Sequence, residues 1–149
     1  MDKELQAADR VLKALADPTR LRMVGLLRSG EICVCHMYAG LKISQPKASR
    51  HLAYLRRAGV VRAEKRGLWV YYTLATELTP AARALLDAAV HCTTHLATTA
   101  RDVQRLEKTT GCPVAVPNAD ASACCAPTSG FPTVEAGSTA RDRAAWRSS

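Results

Sequence analysis

From residue 41 to residue 59 the chain reads Leu41-Lys42-Ile43-Ser44-Gln45-Pro46-Lys47-Ala48-Ser49-Arg50-His51-Leu52-Ala53-Tyr54-Leu55-Arg56-Arg57-Ala58-Gly59. Ser44 has the side chain of an N-cap, and Pro46 fits the first helical turn, where its missing N–H costs nothing. Gly59 stands at the C′ position, where a left-handed backbone ends a helix. Between these signals Ala48, Leu52 and Leu55 recur at helical spacing and give one buried face. The remaining positions are polar or basic. A short helix near Val34–Gly40 precedes the stretch, and Leu41-Lys42-Ile43 is a tight connection. A short helix, a three-residue turn and a capped basic helix make a helix-turn-helix.

Working outward, Val60–Lys65 and Leu68–Leu74 read as strands flanking a hairpin turn at Arg66-Gly67. Leu68, Val70, Tyr72 and Leu74 alternate there with Trp69, Tyr71 and Thr73. The hairpin makes the unit winged. Upstream, a first helix over Lys3–Leu15 carries Val11, Leu12 and Leu15 as its apolar stripe. Asp17-Pro18 caps a second, through Leu21, Val24 and Leu27 to a stop at Ser29-Gly30. Downstream, Thr79-Pro80 caps one long final helix reaching about Thr109, with Leu86, Val90, Ala97 and Val103 among its apolar positions. The expected fold is mainly α with a small β-hairpin, a winged helix-turn-helix. Residues 1–110 form this winged helix-turn-helix domain. Residues 111–149 are rich in Ala, Pro, Ser and Thr without a sustained apolar period, and read as a flexible, largely disordered, Cys-containing tail.

The chain has 149 residues with 48% apolar and 23% charged side chains, one ordinary globular domain rather than two large ones. Its apolar runs are too short to span a bilayer, so no membrane partner is expected. Met1-Asp2-Lys3-Glu4 does not open a signal peptide, which predicts a cytoplasmic location. Six cysteines then point to metal or redox chemistry rather than a disulfide framework. The net charge is +8, and +7 of it lies between Lys42 and Arg66, where Glu64 is the single acid. Such a concentration is the footprint of a phosphate-binding surface. On the basic helix Ser44, Gln45, Lys47 and Ser49 suit base edges, since Gln pairs with adenine and Lys reaches guanine. Arg50, Arg56 and Arg57 suit phosphates. Lys65 and Arg66, at the hairpin tip, fit a flanking phosphate or minor groove. His51 reads as a phosphate contact or a packing hydrogen bond rather than a catalytic group.

Ala16-Asp17-Pro18-Thr19-Arg20-Leu21-Arg22, Glu31-Ile32-Cys33-Val34-Cys35, Ser44-Gln45-Pro46-Lys47-Ala48-Ser49-Arg50-His51-Leu52 and Leu55-Arg56-Arg57-Ala58-Gly59-Val60-Val61 together resemble the ArsR/SmtB family of metalloregulatory repressors. The resemblance covers about residues 8–95. It implies a homodimer joined through the first and last helices, bound to double-stranded operator DNA of a resistance operon. It also implies that As(III) or Sb(III) is the inducer, taken up at the C-V-C motif of Cys33 and Cys35, with no organic cofactor.

Thiolates are soft ligands and suit thiophilic ions. Within a regular helix, residues i and i+2 point about 200° apart, so joint binding by Cys33 and Cys35 predicts a distorted helix start, transmitted to Gln45 and Lys47. The arsenic form of the motif continues C-V-C-x-x-C, whereas Tyr38 stands in the third place here. Either two thiols suffice, or Cys112, Cys124 or Cys125 supplies a third or builds a second site, or the ligand is a methylated arsenic needing two sulfurs. The adjacent pair Cys124-Cys125 with distal Cys112 resembles C-terminal metalloid sites of other family members, and merely exposed thiols are the plainer alternative.

Rival readings stay on the same fold or leave it. His91 and His95 share a helix face with Asp87, a zinc or cadmium reading, but lack the family's Asp-x-His and His-x-x-Glu pattern. Cys92 fits a packing role. A redox repressor would oxidise Cys33 and Cys35, or Cys124 and Cys125. An enzyme is not expected: a phosphate-loop nucleophile at Cys92 needs an Arg six residues on, where Thr98 stands.

Overall fold

The computed structural model describes residues 2–110. Helix α1 (Lys3–Leu15) leads into α2 (Pro18–Leu27), and a two-residue strand β1 (Ile32–Cys33) runs directly into α3 (Val34–Leu41). The basic helix α4 (Gln45–Arg57) follows, then strands β2 (Val61–Arg66) and β3 (Trp69–Leu74), and finally α5 (Pro80–Thr93) and α6 (Ala97–Thr110). Caps sit where side-chain chemistry places them. Asp17 accepts the Arg20 N–H at 3.0 Å, Ser44 accepts that of Lys47 at 3.3 Å, and Thr79 accepts that of Ala82. Val11, Met23, Leu26, Met37, Leu41, Leu52, Leu55, Val60, Tyr72 and Leu86 are buried together, so one core joins the helices to the sheet.

Four sequence expectations are corrected. The sheet has three antiparallel strands in the order β1-β3-β2, not a bare hairpin, because Ile32 and Cys33 pair with Tyr72 and Tyr71. The hairpin turn is Gly67-Leu68 rather than Arg66-Gly67. Arg66 pairs with Trp69, and Gly67 takes the positive φ of 60° that its missing Cβ permits. Leu68 is left 86% exposed at the tip.

The single final helix is two. At Thr93–Leu96 the backbone tightens into i→i−3 bonds, and the Thr93 and Thr94 hydroxyls donate to the carbonyls of Val90 and His91. The chain then folds back, so that α6 packs on α2 and α3 and buries Thr99, Asp102 and Leu106, while Ala97 faces out. At Gly25 on α2 an added Cβ would lie 2.5 Å from the Thr99 side chain. Finally, α1 buries Ala7, Val11 and Ala14, whereas Leu12 is 53% exposed and Leu5 is 58% exposed, one above the other along the helix.

Candidate thiol site and nucleic-acid interface

Helix α4 buries Ala48, Leu52 and Leu55 completely, and that anchoring presents its other faces outward. Ser44, Gln45, Lys47 and Arg50 are exposed at its N-terminal end, and Ser49 and Arg56 are half-buried. Lys42, in the turn before it, holds a left-handed φ of 54°. His51 points inward instead, its Nδ1 3.7 Å from an Asp17 carboxylate oxygen. Burial pushes the His51 imidazole below its ordinary pKa, against the pull of Asp17. Burial alone would raise the Asp17 carboxyl, but the Arg20 amide and guanidinium and His51 outweigh it and hold it below the ordinary value. One turn along α4 from His51, the Tyr54 ring lies 4.1 Å under the Arg20 guanidinium and 5.8 Å from that of Arg57.

At the other end of the sheet, Lys65 is exposed, while Arg66 is engaged. Its guanidinium donates to both oxygens of Glu31 at 2.6 and 2.7 Å and to Glu64 at 2.9 Å.

The two thiols meet at the strand–helix junction. Cys33 is buried, ends β1 and is the N-cap of α3 with an extended backbone (φ −68°, ψ 143°). Cys35 lies in the first turn and its thiol donates to the Cys33 sulfur at 3.0 Å. The expected 200° divergence therefore does not arise: the helix begins after Cys33, and no unwinding is needed to bring the sulfurs together. An ion at about 2.3 Å from each sulfur would subtend roughly 80° between them, an open, pyramidal-type angle that the pair can serve. Tyr71, Trp69 and Val34 wall the thiols. Tyr38 lies close enough that burial, and then charge on Cys35 and Cys33, raises its phenol pKa.

The opposite end of α3 is held by ions that the sequence reading missed. Asp102 of α6, 1% exposed, accepts from Arg22 Nε and Nη2, both at 2.8 Å, and from Arg105 at 3.1 Å. The same arginines donate to the carbonyls of Leu41 and Gly40 at the C-terminus of α3. Those carbonyls are the groups a helix end leaves unsatisfied.

His91, in the last turn of α5, and His95, in the turn that follows it, stand edge-to-face with their Nε2 atoms 3.4 Å apart, both exposed, and Cys92 is exposed rather than packed. The Asp87 carboxylate beside them lies 3.8 Å from Arg83. Among the described residues no group of three or more His, Cys, Asp or Glu is arranged to hold a metal ion. Cys112, Cys124 and Cys125 lie outside the described residues. Among the described residues no helix is long and apolar enough to cross a membrane.

Comparison with known proteins gives this geometry its context. Residues 17–63, which hold α2 through the first half of β2, match the family described as "Bacterial regulatory protein, arsR family". The chain is 46% identical over 89 residues to the arsenic resistance transcriptional regulator ArsR1 of Pseudomonas putida, covering 59% of this chain and 70% of that protein. It is 45% identical over 84 residues to the arsenical resistance operon repressor of Escherichia coli, covering 56% of this chain and 72% of that protein. A homodimeric winged helix-turn-helix DNA-binding domain, Mb0332 from Mycobacterium bovis, superposes with a TM-score of 0.52 at 33% identity, covering 61% of this chain and 82% of that one. The chain thus belongs to the arsR family of bacterial regulatory proteins, and is a winged helix-turn-helix DNA-binding transcription regulator rather than an enzyme.

Proposed function

We propose that this regulator is a repressor that holds operator DNA as a homodimer and releases it when Cys33 and Cys35 take up trivalent arsenic or antimony. The observation that carries the reading is the 3.0 Å approach of two cysteine thiols, not joined as a disulfide, at the start of α3, one helix before the DNA-reading helix. Two thiols displace two hydroxyls from arsenous acid, forming two As–S bonds and two waters. The third position on arsenic is left to hydroxide, to a tail thiol from Cys112, Cys124 or Cys125, or to the methyl group of methylarsenite.

On the DNA side, Gln45 and Lys47 read base edges with Ser44 and Ser49, and Arg50 and Arg56 hold phosphates. Lys65 reaches the flank, Arg66 beside it does so only where it lets go of Glu31 and Glu64, and His51 supports the helix from behind. The dimer seam runs along α1 and the adjoining α5, where Leu5 and Leu12 offer exposed apolar surface. The protein works in the cytoplasm. A hundredfold loss of DNA affinity needs about 2.7 kcal/mol of coupling between the two sites.

Two specific distances favour rival inducers. The sulfur pair suits oxidation to a disulfide, and the paired His91 and His95 nitrogens suit zinc or cadmium. A promoter-release titration of the full chain with arsenite, antimonite, methylarsenite, zinc, cadmium and an oxidant separates them. Release by the trivalent metalloids at near-stoichiometric levels is expected. Release by zinc, cadmium or oxidant alone would replace the reading with the corresponding rival.

A further inference from the structure

The three-stranded sheet sorts its residues by face. Ile32, Tyr72 and Ala63 are in register across it and pack into the core. The next row, Cys33, Tyr71 and Glu64, is also in register and therefore lies on the opposite face. Cys33 and Tyr71 form a small buried cluster of their own there, with Cys35 and Trp69 against it. The Arg66 guanidinium lies 4.8 Å from the centre of the Tyr71 ring, on this same face. Both oxygens of Glu31 grip it, at 2.6 and 2.7 Å, and Glu64 adds a third bond at 2.9 Å. Glu31 immediately precedes β1 and is two residues from Cys33. A continuous line thus runs from the thiol pair through one ring to the last basic residue of the wing.

Two carboxylates surround this one guanidinium, so its charge is matched within the protein. The guanidinium fork fits a phosphate as it fits a carboxylate, and the same N–H groups cannot serve both. The pair is partly solvent-exposed, so exchange between the two anions is inexpensive. We propose that Glu31 is an internal competitor for DNA phosphate: it withholds Arg66 from the DNA backbone, and occupation of Cys33 and Cys35 tightens that hold. The second half rests on the metalloid reading above; the first half does not.

The test is operator binding by the full chain, followed by fluorescence anisotropy across a salt series. Without metalloid, Glu31→Gln should bind about threefold to tenfold more tightly, with the log–log salt slope steeper by about 0.9, as for one added phosphate contact. Glu31→Asp, which keeps the charge but shortens the reach, should gain less. Both gains should vanish when Arg66→Ala is added. Unchanged affinity and slope in Glu31→Gln and Glu31→Asp would overturn the proposal. So would a gain that survives Arg66→Ala, since that is mere relief of charge repulsion. Arsenite should release Glu31→Gln less completely than the wild type. Arsenite release of the wild type with no Glu31 effect sinks this inference alone, and a Glu31 effect without arsenite release of the wild type sinks the metalloid reading and the second half of the proposal while leaving the first half standing.

Discussion

Helix α3 is held very differently at its two ends. Its C-terminal end, where the chain turns into the recognition helix, is clamped by Arg22 and Arg105, which donate to the Leu41 and Gly40 carbonyls while sharing the buried Asp102. Its N-terminal end has no side-chain cap bond: Cys33 occupies the cap position and is tied down by a two-residue strand. Charge-assisted bonds fix the end that sets the α4 position, and thiols occupy the end with the weaker restraints. A ligand on the thiols would therefore meet the compliant end of the element, which β1 joins to the wing and α3 to the turn. The difference teaches that the hold on the C-terminal end of α3 joins Arg22 of α2 to Asp102 and Arg105 of α6, and α6 lies beyond the matched family segment.

The largest test of that contrast is Asp102→Ala. It strands two arginines at a nearly closed site and should cost about 3 kcal/mol of stability, measured by urea unfolding, with weaker DNA binding as α3 loosens. Gly25→Ala attacks the same clamp from behind. The new methyl would meet Thr99 and push α6 away, so a net loss of about 1–2 kcal/mol is expected despite the better helix propensity of Ala. Ser44→Ala removes only the α4 cap and should cost about 1 kcal/mol. At the compliant end, Cys35→Ser should change stability by less than about 0.5 kcal/mol yet remove the metalloid response. A loss there as large as that of Asp102→Ala would erase the contrast between the two ends.

The smallest effect is a pH effect. The folded state lowers the His51 pKa below 6.5, so the unfolded chain binds the proton first as pH falls. The contribution of neutral His51 is intact above pH 6.5 and is lost as pH drops through that value to the folded pKa. Melting temperatures from pH 7.5 to 5.5 should fall less in His51→Asn than in the wild type.

The elements legible in the sequence are those written locally. Helix α4 has its cap, its proline, its apolar face and its terminal glycine within one stretch, and no distant residue had to be known. Strand β1 has two residues and exists because Tyr71 and Tyr72 lie beside it, which no local pattern records. For the same reason the i, i+2 geometry of a regular helix does not apply to the thiols, since Cys33 belongs to β1 and caps the helix that begins at Val34. Asp102 looks like an ordinary surface acid on an amphipathic helix, and only the fold-back at Thr93–Leu96 buries it between two arginines. Arg66 was legible as a basic wing residue. Its engagement with Glu31 was not, because that pair joins segments far apart in the chain.

The central claim is that Cys33 and Cys35, rather than the tail thiols or the histidine pair, couple ligand to DNA release. It is tested most directly by measuring operator affinity with and without arsenite for the wild type, for Cys33→Ser with Cys35→Ser, and for Cys112→Ser with Cys124→Ser and Cys125→Ser. About a hundredfold loss of affinity is expected for the wild type, none for the first variant, and retained release with an altered dose response for the second. Undiminished release from the Cys33→Ser, Cys35→Ser protein would contradict it.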